Sequence, residues 1–144
     1  MSKTIVVTGA SSGIGRSIVE RLLSEGHRVI GLARDHSKFD PKSDSYFTRS
    51  VDLTDSAQVH STFEGILAEF PELCTVISNA GAGTVGCLEE FSMQQIEAGI
   101  QLNLLNHLFV ARAVVPYFKK QGRGDLIFTG SESSLRGAAR GTLY

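Results

Sequence analysis

Thr8-Gly9-Ala10-Ser11-Ser12-Gly13-Ile14-Gly15 lies between a β-branched run and an amphipathic stretch, and that placement decides the fold. Upstream, Lys3 to Thr8 is a short apolar run ended by Gly9, the pattern of a strand buried on both faces. Downstream, Ile14, Ile18, Val19, Leu22 and Leu23 recur at helical spacing until Gly26 stops them. Gly9 can turn tightly out of the strand. Gly13 removes a side chain where a pyrophosphate would approach the backbone, and Gly15 lets the helix pack close to the sheet. The helix start then offers free N–H groups and the positive end of its dipole to a phosphate. A purely structural strand-to-helix turn is the competing reading. The position of the loop, directly after the first strand and opening an amphipathic helix, favours nucleotide binding.

The same alternation continues along the chain. Arg28 to Ala33, Tyr46 to Val51, Cys74 to Ser78 and Leu126 to Thr129 read as four further strands. Asp55, with Gln58 three residues on, caps a helix whose Val59, Phe63, Ile66 and Leu67 share one face and which Pro71 closes. Ser92 with Gln95 forms a second capping box. It opens a long helical stretch through Phe118, with a break or kink expected near Asn103 and another at Pro116. Strands alternating with helices imply βαβ units, right-handed crossovers and an α/β fold with a Rossmann-like, doubly wound parallel sheet. No internal repeat or linker divides residues 1–144, which read as a single domain.

Composition narrows the function. The 144 residues are 42% hydrophobic and 20% charged, which argues against disorder. Fourteen Lys and Arg against 15 Asp and Glu leave a net charge of −1, so no sequence-independent grip on nucleic acid or an anionic membrane is expected. No apolar run approaches the roughly 20 residues of a membrane span. Cys74 and Cys87 are too few for a disulfide scaffold and fit a reducing compartment, and the start lacks the features of a signal peptide; a cytoplasmic location is expected. His27, His36, His60 and His107 are scattered without partners at ligand spacing, so no metal site is expected. Arg16 reads as a solvated residue of the first helix, and Arg123-Gly124-Asp125 as a helix-to-strand turn.

The glycine spacing is Gly-x-x-x-Gly-x-Gly rather than Gly-x-Gly-x-x-Gly. In this the sequence resembles the short-chain dehydrogenase/reductase family, and the resemblance extends over nearly the whole chain. Asn79-Ala80-Gly81 follows the fourth strand, at the carboxyl end where a ligand crevice is expected. Asn79 can bond its own backbone neighbours while the small residues clear room. The family usually has Asn-Asn-Ala-Gly, and Ser78 replaces the first Asn. Asp52-Leu53 follows the third strand; the resemblance implies that this Asp meets an adenine amino group, with a helix-start carboxylate as the alternative. Asn103 is a poor helix-interior residue type. The resemblance implies that it holds a local kink and, through its carbonyl, a water of a proton relay; Asn106 and His107 read as structural. Ser131 precedes Tyr144 by 13 positions, the family's usual separation, which Ser133 and Ser134 do not match.

These correspondences imply an NADP-dependent oxidoreductase transferring hydride between a nicotinamide and a small carbonyl or alcohol. Tyr144 would be the general acid/base, Ser131 the orienter of the substrate oxygen and Asn103 the relay support. The cofactor residues would be Gly9, Ser11, Ser12, Gly13, Ile14, Gly15, Arg34, Asp52, Leu53, Asn79, Ala80 and Gly81. NADP(H) is expected over NAD(H), because the second strand ends in Ala33-Arg34 where an acid would bind a ribose hydroxyl. A one-residue shift would instead make Asp35 the ribose ligand. The implied strand order is 3-2-1-4-5, truncated to about five strands. The family's motif is Tyr-x-x-x-Lys, and the sequence ends at Tyr144. The chain therefore reads as the N-terminal part of a family member whose full-length parent is a homo-oligomer. Alone it is expected to be inactive or nearly so, the alternative being a truncated, non-catalytic NADP(H)-binding module, and to have an unprotected fifth-strand edge.

Overall fold

The computed structural model describes residues 2–137, 140 and 141. The elements run β1 (Thr4–Thr8), α1 (Gly13–Ser24), β2 (Arg28–Ala33), β3 (Tyr46–Ser50), α2 (Ser56–Glu69), β4 (Leu73–Ser78), α3 (Met93–Ile100), α4 (Asn106–Gln121) and β5 (Asp125–Phe128). The strands form one sheet of order β3-β2-β1-β4-β5, and every pairing is parallel. This is the order that the resemblance implied.

Strand alternation splits the core between the two faces of the sheet. Val6, Ile30, Leu32 and Val76 pack with Val59, Phe63 and Ile66 of α2 and Val110, Val114 and Phe118 of α4. On the other face Ile5, Val7 and Val29 pack with Val19 of α1 and with Phe39, and Ile18 and Leu22 close the layer. β1 and β2 each contribute to both layers, and all five residues of β1 are buried. β5 is an edge strand, with Ile127 and Phe128 about half exposed at 49% and 50%.

Two local details depart from expectation. Asp55 caps α2 through the N–H groups of Ala57 and Gln58, but Gln58 Oε1 accepts from the N–H of Asp52 rather than from Asp55. The helix does not break at Pro116: α4 runs through it to Gln121. Pro116 and Arg112, whose carbonyl would have met the missing N–H, lie on the exposed side. Val110, Val114 and Phe118 hold the opposite side against the sheet. Arg16 is exposed on α1 as expected, where it pairs with Glu20 at 2.9 Å and lies 5.0 Å over the Phe39 ring. The kink expected near Asn103 is a π-helical turn over Gln101–Leu105 that joins α3 to α4. The joined stretch Met93–Gln121 is long and apolar enough to be compared with a membrane span by length and composition; within it α4 packs on α2, β4 and β5, while Met93, Ile100, Leu104 and Leu108 are exposed.

Candidate active-site cleft

The carboxyl ends of the parallel strands open into one cleft of about 890 Å³. The loop after β1 forms one wall. Gly9 has φ +67° and Gly13 φ +52°, so both adopt backbone conformations that side chains resist. A Cβ on Gly13 would meet nothing within 4 Å, so its open side faces space at the start of α1. A Cβ on Gly15 would collide with the Gly9 carbonyl oxygen, which is why α1 can sit so close to the loop. Gly9, Ser11, Ser12, Gly13 and Ile14 line the cleft, while Gly15 lies buried behind them.

β1 also positions the neighbouring loop. Thr8 is fully buried, and its Oγ1 accepts from the N–H of Asn79 at 2.8 Å and of Ala80 at 2.9 Å. The side chain of Asn79 does not bond its own backbone neighbours as expected. Its Nδ2 donates to the Thr8 carbonyl at 3.2 Å and its Oδ1 accepts from Thr129 Oγ1 at 3.2 Å. Asn79 therefore ties β1 to the end of β5 across β4. Its partners arrive from 71 and 50 residues away, a pairing no local reading supplies.

Asn103 sits in the π turn, and its amide faces the backbone of Ala82. Oδ1 accepts from the Ala82 N–H and Nδ2 donates to the Ala82 carbonyl, both at 2.9 Å. A Cβ on Gly81 would come within 3.1 Å of Asn103 Oδ1, so the small residue makes room for that bridge. Asn106, fully buried, donates to the Ala80 carbonyl at 3.0 Å. The Asn-Ala-Gly loop is thus pinned from β1 on one side and from the π turn on the other. Asn79, Ala80, Gly81 and Asn103 all line the cleft.

At the β2 end, Ala33, Arg34, Asp52 and Leu53 line the cleft. Arg34 makes no ion pair or hydrogen bond among the described residues. Asp35 turns away, its Oδ1 accepting from the Ser37 N–H at 2.8 Å. Asp52 accepts from Thr54 Oγ1 at 2.7 Å and Thr54 N–H at 2.9 Å, while Asp55 does the capping of α2. Those two Thr54 bonds, and more weakly the Arg34 charge, hold the Asp52 carboxyl below its ordinary value against a small burial penalty.

At the far end, Ser131 follows β5 and lines the cleft beside Thr129, Gly130 and Ser134. Its Oγ accepts from the Ser133 N–H at 3.1 Å, and Ser134 Oγ donates to its carbonyl at 2.7 Å. Tyr144 lies outside the described residues. The sequence reading missed Thr54, Gln101, Thr129 and, above all, His107, all of which line the cleft. The signal for His107 was available: it stands four residues after Asn103, the spacing that places two side chains on one helical face.

The cleft combines a glycine loop at a helix start, a pinned Asn-Ala-Gly turn, and Asn and Ser groups at one end. The short chain dehydrogenase profile matches residues 3–144. The chain belongs to the short chain dehydrogenase family. Among family members it is 32% identical to an uncharacterized oxidoreductase of Staphylococcus saprophyticus, over 99% of this chain and 64% of that one. The fold is similar to the crystal structure of a short-chain dehydrogenase from Streptomyces avermitilis, with a TM-score of 0.94 and 28% identity over 100% of this chain and 55% of that one. It is also similar to an alcohol dehydrogenase from Thermococcus sibiricus complexed with 5-hydroxy-NADP, with a TM-score of 0.89 and 28% identity over 100% of this chain and 64% of that one. The chain thus spans between about half and two thirds of the length of these short chain dehydrogenases.

Proposed function

We propose that the cleft binds NADP(H), and that the chain carries the cofactor-binding half and part of the chemical apparatus of an oxidoreductase acting on a small carbonyl or alcohol. One observation carries the reading: a single cleft joins the open side of Gly13, Arg34, which makes no ion pair or hydrogen bond among the described residues, and the Asn103 and Ser131 groups. The open backbone at the start of α1 suits a pyrophosphate. Asp52 and Leu53 flank the place for an adenine, and Arg34 suits a 2′-phosphate, which a guanidinium can clamp with two bonds. Asp35, engaged with Ser37, is the less suitable ribose ligand.

The nicotinamide, when bound, supplies or accepts the hydride. Ser131 Oγ orients the substrate oxygen, and the Tyr144 phenol gives that oxygen its proton as negative charge develops on it. Asn103 holds the Ala82 loop to the π turn, which supports the relay role that the resemblance implies for it. A cytoplasmic location, a homo-oligomeric assembly of the whole protein, and no nucleic-acid or membrane partner belong to the same reading.

The test is titration of NADPH and NADH against the chain and against Arg34→Ala. NADPH should bind tighter. Losing charge-assisted bonds to a phosphate should weaken NADPH by roughly 10- to 100-fold while NADH changes little. Tighter NADH binding, or an undiminished NADPH affinity in Arg34→Ala, overturns the assignment. Turnover of a simple ketone with NADPH tests the chemistry.

A further inference from the structure

Residues 34–45 join β2 to β3 without a helix, and the first of them, Arg34, stands where β2 ends beside the cleft. The β2–β3 ladder runs as far as Ala33, whose carbonyl accepts from the Val51 N–H at 3.1 Å. Past that bond the sheet no longer dictates the backbone. A shift of one residue there would bring Asp35 to the cleft in place of Arg34. Arg34 lines the cleft and Asp35 does not, so something beyond the ladder sets the register.

His36 supplies an anchor. Its Nε2 lies 3.1 Å from the carbonyl oxygen of Arg49 on β3. A carbonyl can only accept, so Nε2 carries the ring proton and donates it. Nδ1 is buried and has no hydrogen-bond partner among the described residues, so the bond to Arg49 is what ties the ring to the sheet. A second tie starts from the His36 backbone, whose carbonyl accepts from the Phe39 N–H at 3.1 Å. Phe39 is 5% exposed, and its ring meets Tyr46 edge-to-face with centroids 5.6 Å apart. Between these points the Asp35 carboxylate accepts from the Ser37 N–H at 2.8 Å, an Asx turn that engages it outside the cleft. The His36 bond therefore sits midway between Ala33, held by the ladder, and Phe39, held by the core. His36 itself does not line the cleft.

We propose that His36 is a positioning residue for cofactor selectivity: by holding the loop to the Arg49 carbonyl it presents the Arg34 guanidinium to the ribose end of the cleft and withholds the Asp35 carboxylate from it. The inference rests on the cofactor reading above. A guanidinium attracts a 2′-phosphate, whereas a carboxylate repels that phosphate and accepts from a 2′-hydroxyl. NADPH and NADH differ at that place alone, so a choice between two adjacent residues is a choice between the two nucleotides. An anchor two residues away takes up no room in the cleft. It is also in place before the nucleotide arrives, so binding does not bear the cost of ordering the loop. His36 touches no nucleotide; it acts through Arg34.

The experiment is titration of NADPH and NADH against the unaltered chain, His36→Ala and His36→Gln, with melting temperatures recorded alongside. His36→Ala removes the donor, and the ratio of the NADH to the NADPH dissociation constant should fall by roughly five-fold, the worth of one hydrogen bond that favours one register of the loop. His36→Gln keeps an N–H donor and should bring the ratio back toward that of the unaltered chain. A bond that only stabilises the fold would weaken both nucleotides alike and lower the melting temperature with the ratio unchanged. That result overturns the proposal, and so does a ratio in His36→Gln as low as in His36→Ala. If His36→Ala does not fold, hydrogen exchange in the unaltered chain decides. The N–H groups of Ser37 and Phe39, already bonded within the loop, should be protected to the same degree with and without NADPH. Amides that become protected only when NADPH binds would show a loop ordered by the nucleotide rather than by His36, and overturn the proposal as well. An unaltered chain that binds NADH the tighter, or binds neither nucleotide, is a different result: it overturns the cofactor reading, and the positioning role falls with it.

Discussion

Replacing Thr8 by Val should strike the fold and the cleft together. The two side chains have nearly the same shape, so packing in the centre of the sheet is kept. What is lost is Oγ1, which accepts from two backbone N–H groups, those of Asn79 and Ala80 at 2.8 and 2.9 Å. Ala80 is 7% exposed and Thr8 fully buried, so water has little access to the stranded donors. Each unsatisfied buried donor costs about 1–3 kcal/mol, and the extra buried methyl returns about 0.8 kcal/mol, which leaves a net loss of roughly 1–5 kcal/mol. At about 3 °C per kcal/mol for a chain of this size, the melting temperature should fall by roughly 3–15 °C. Urea and thermal denaturation followed by circular dichroism measure it. Thr8→Ser is the control, because it keeps the acceptor and gives up only a methyl, at about 1 kcal/mol. NADPH affinity should drop in Thr8→Val and hold in Thr8→Ser, because the acceptor also places the Asn79-Ala80-Gly81 turn. If Thr8→Ser proves as damaging as Thr8→Val in both measurements, the two N–H bonds are not what holds the turn.

Two further outcomes are expected. The Asp52 carboxyl titrates lower in the folded chain than in the unfolded one, so its stabilising contribution is complete above pH ~4 and is lost as the pH falls through the folded value. Asp52→Asn should therefore flatten the acid limb of a stability-against-pH curve and leave its shape near neutrality alone; an unchanged acid limb would remove Asp52 from the account. At the sheet edge, β5 pairs only with β4 among the described residues and leaves Ile127 and Phe128 half exposed, whereas β1 is flanked on both sides. Amides of Leu126 to Thr129 should exchange with solvent orders of magnitude faster than those of Ile5 to Thr8. A chain in which the two strands exchange at the same rate would show that the edge is not where opening begins.

Local chemistry was enough to find the elements. β-branched runs next to glycines marked the strands, and Asp55 and Ser92 marked helix starts, because a cap is satisfied by N–H groups two or three residues away. Gly9, read as a tight turn, and Gly13, read as a place for close approach, both take positive φ, a conformation that is a property of the residue and its immediate turn. Pro116 shows the limit of that logic. Its missing N–H is a local fact, but the burial of Val110, Val114 and Phe118 that keeps the helix whole is not.

The site was legible as residue types and only in part as an arrangement. The sequence by itself determined which groups could bind phosphate, orient an oxygen or hold a kink. The tertiary structure decided which of them meet. Asn79 bonds Thr8 and Thr129 rather than its neighbours, Asn103 pairs with the backbone of Ala82, and His107 rests on Ser78. Those partners lie between 21 and 71 residues apart in the chain. Hydrogen bonds act only over about 3 Å, so a pairing exists once the parallel sheet has brought β1, β4 and β5 side by side and the π turn has aimed α4 at their ends. Spacing along the chain carries the chemistry of each group, and the register of the sheet determines which other group lies within reach of it.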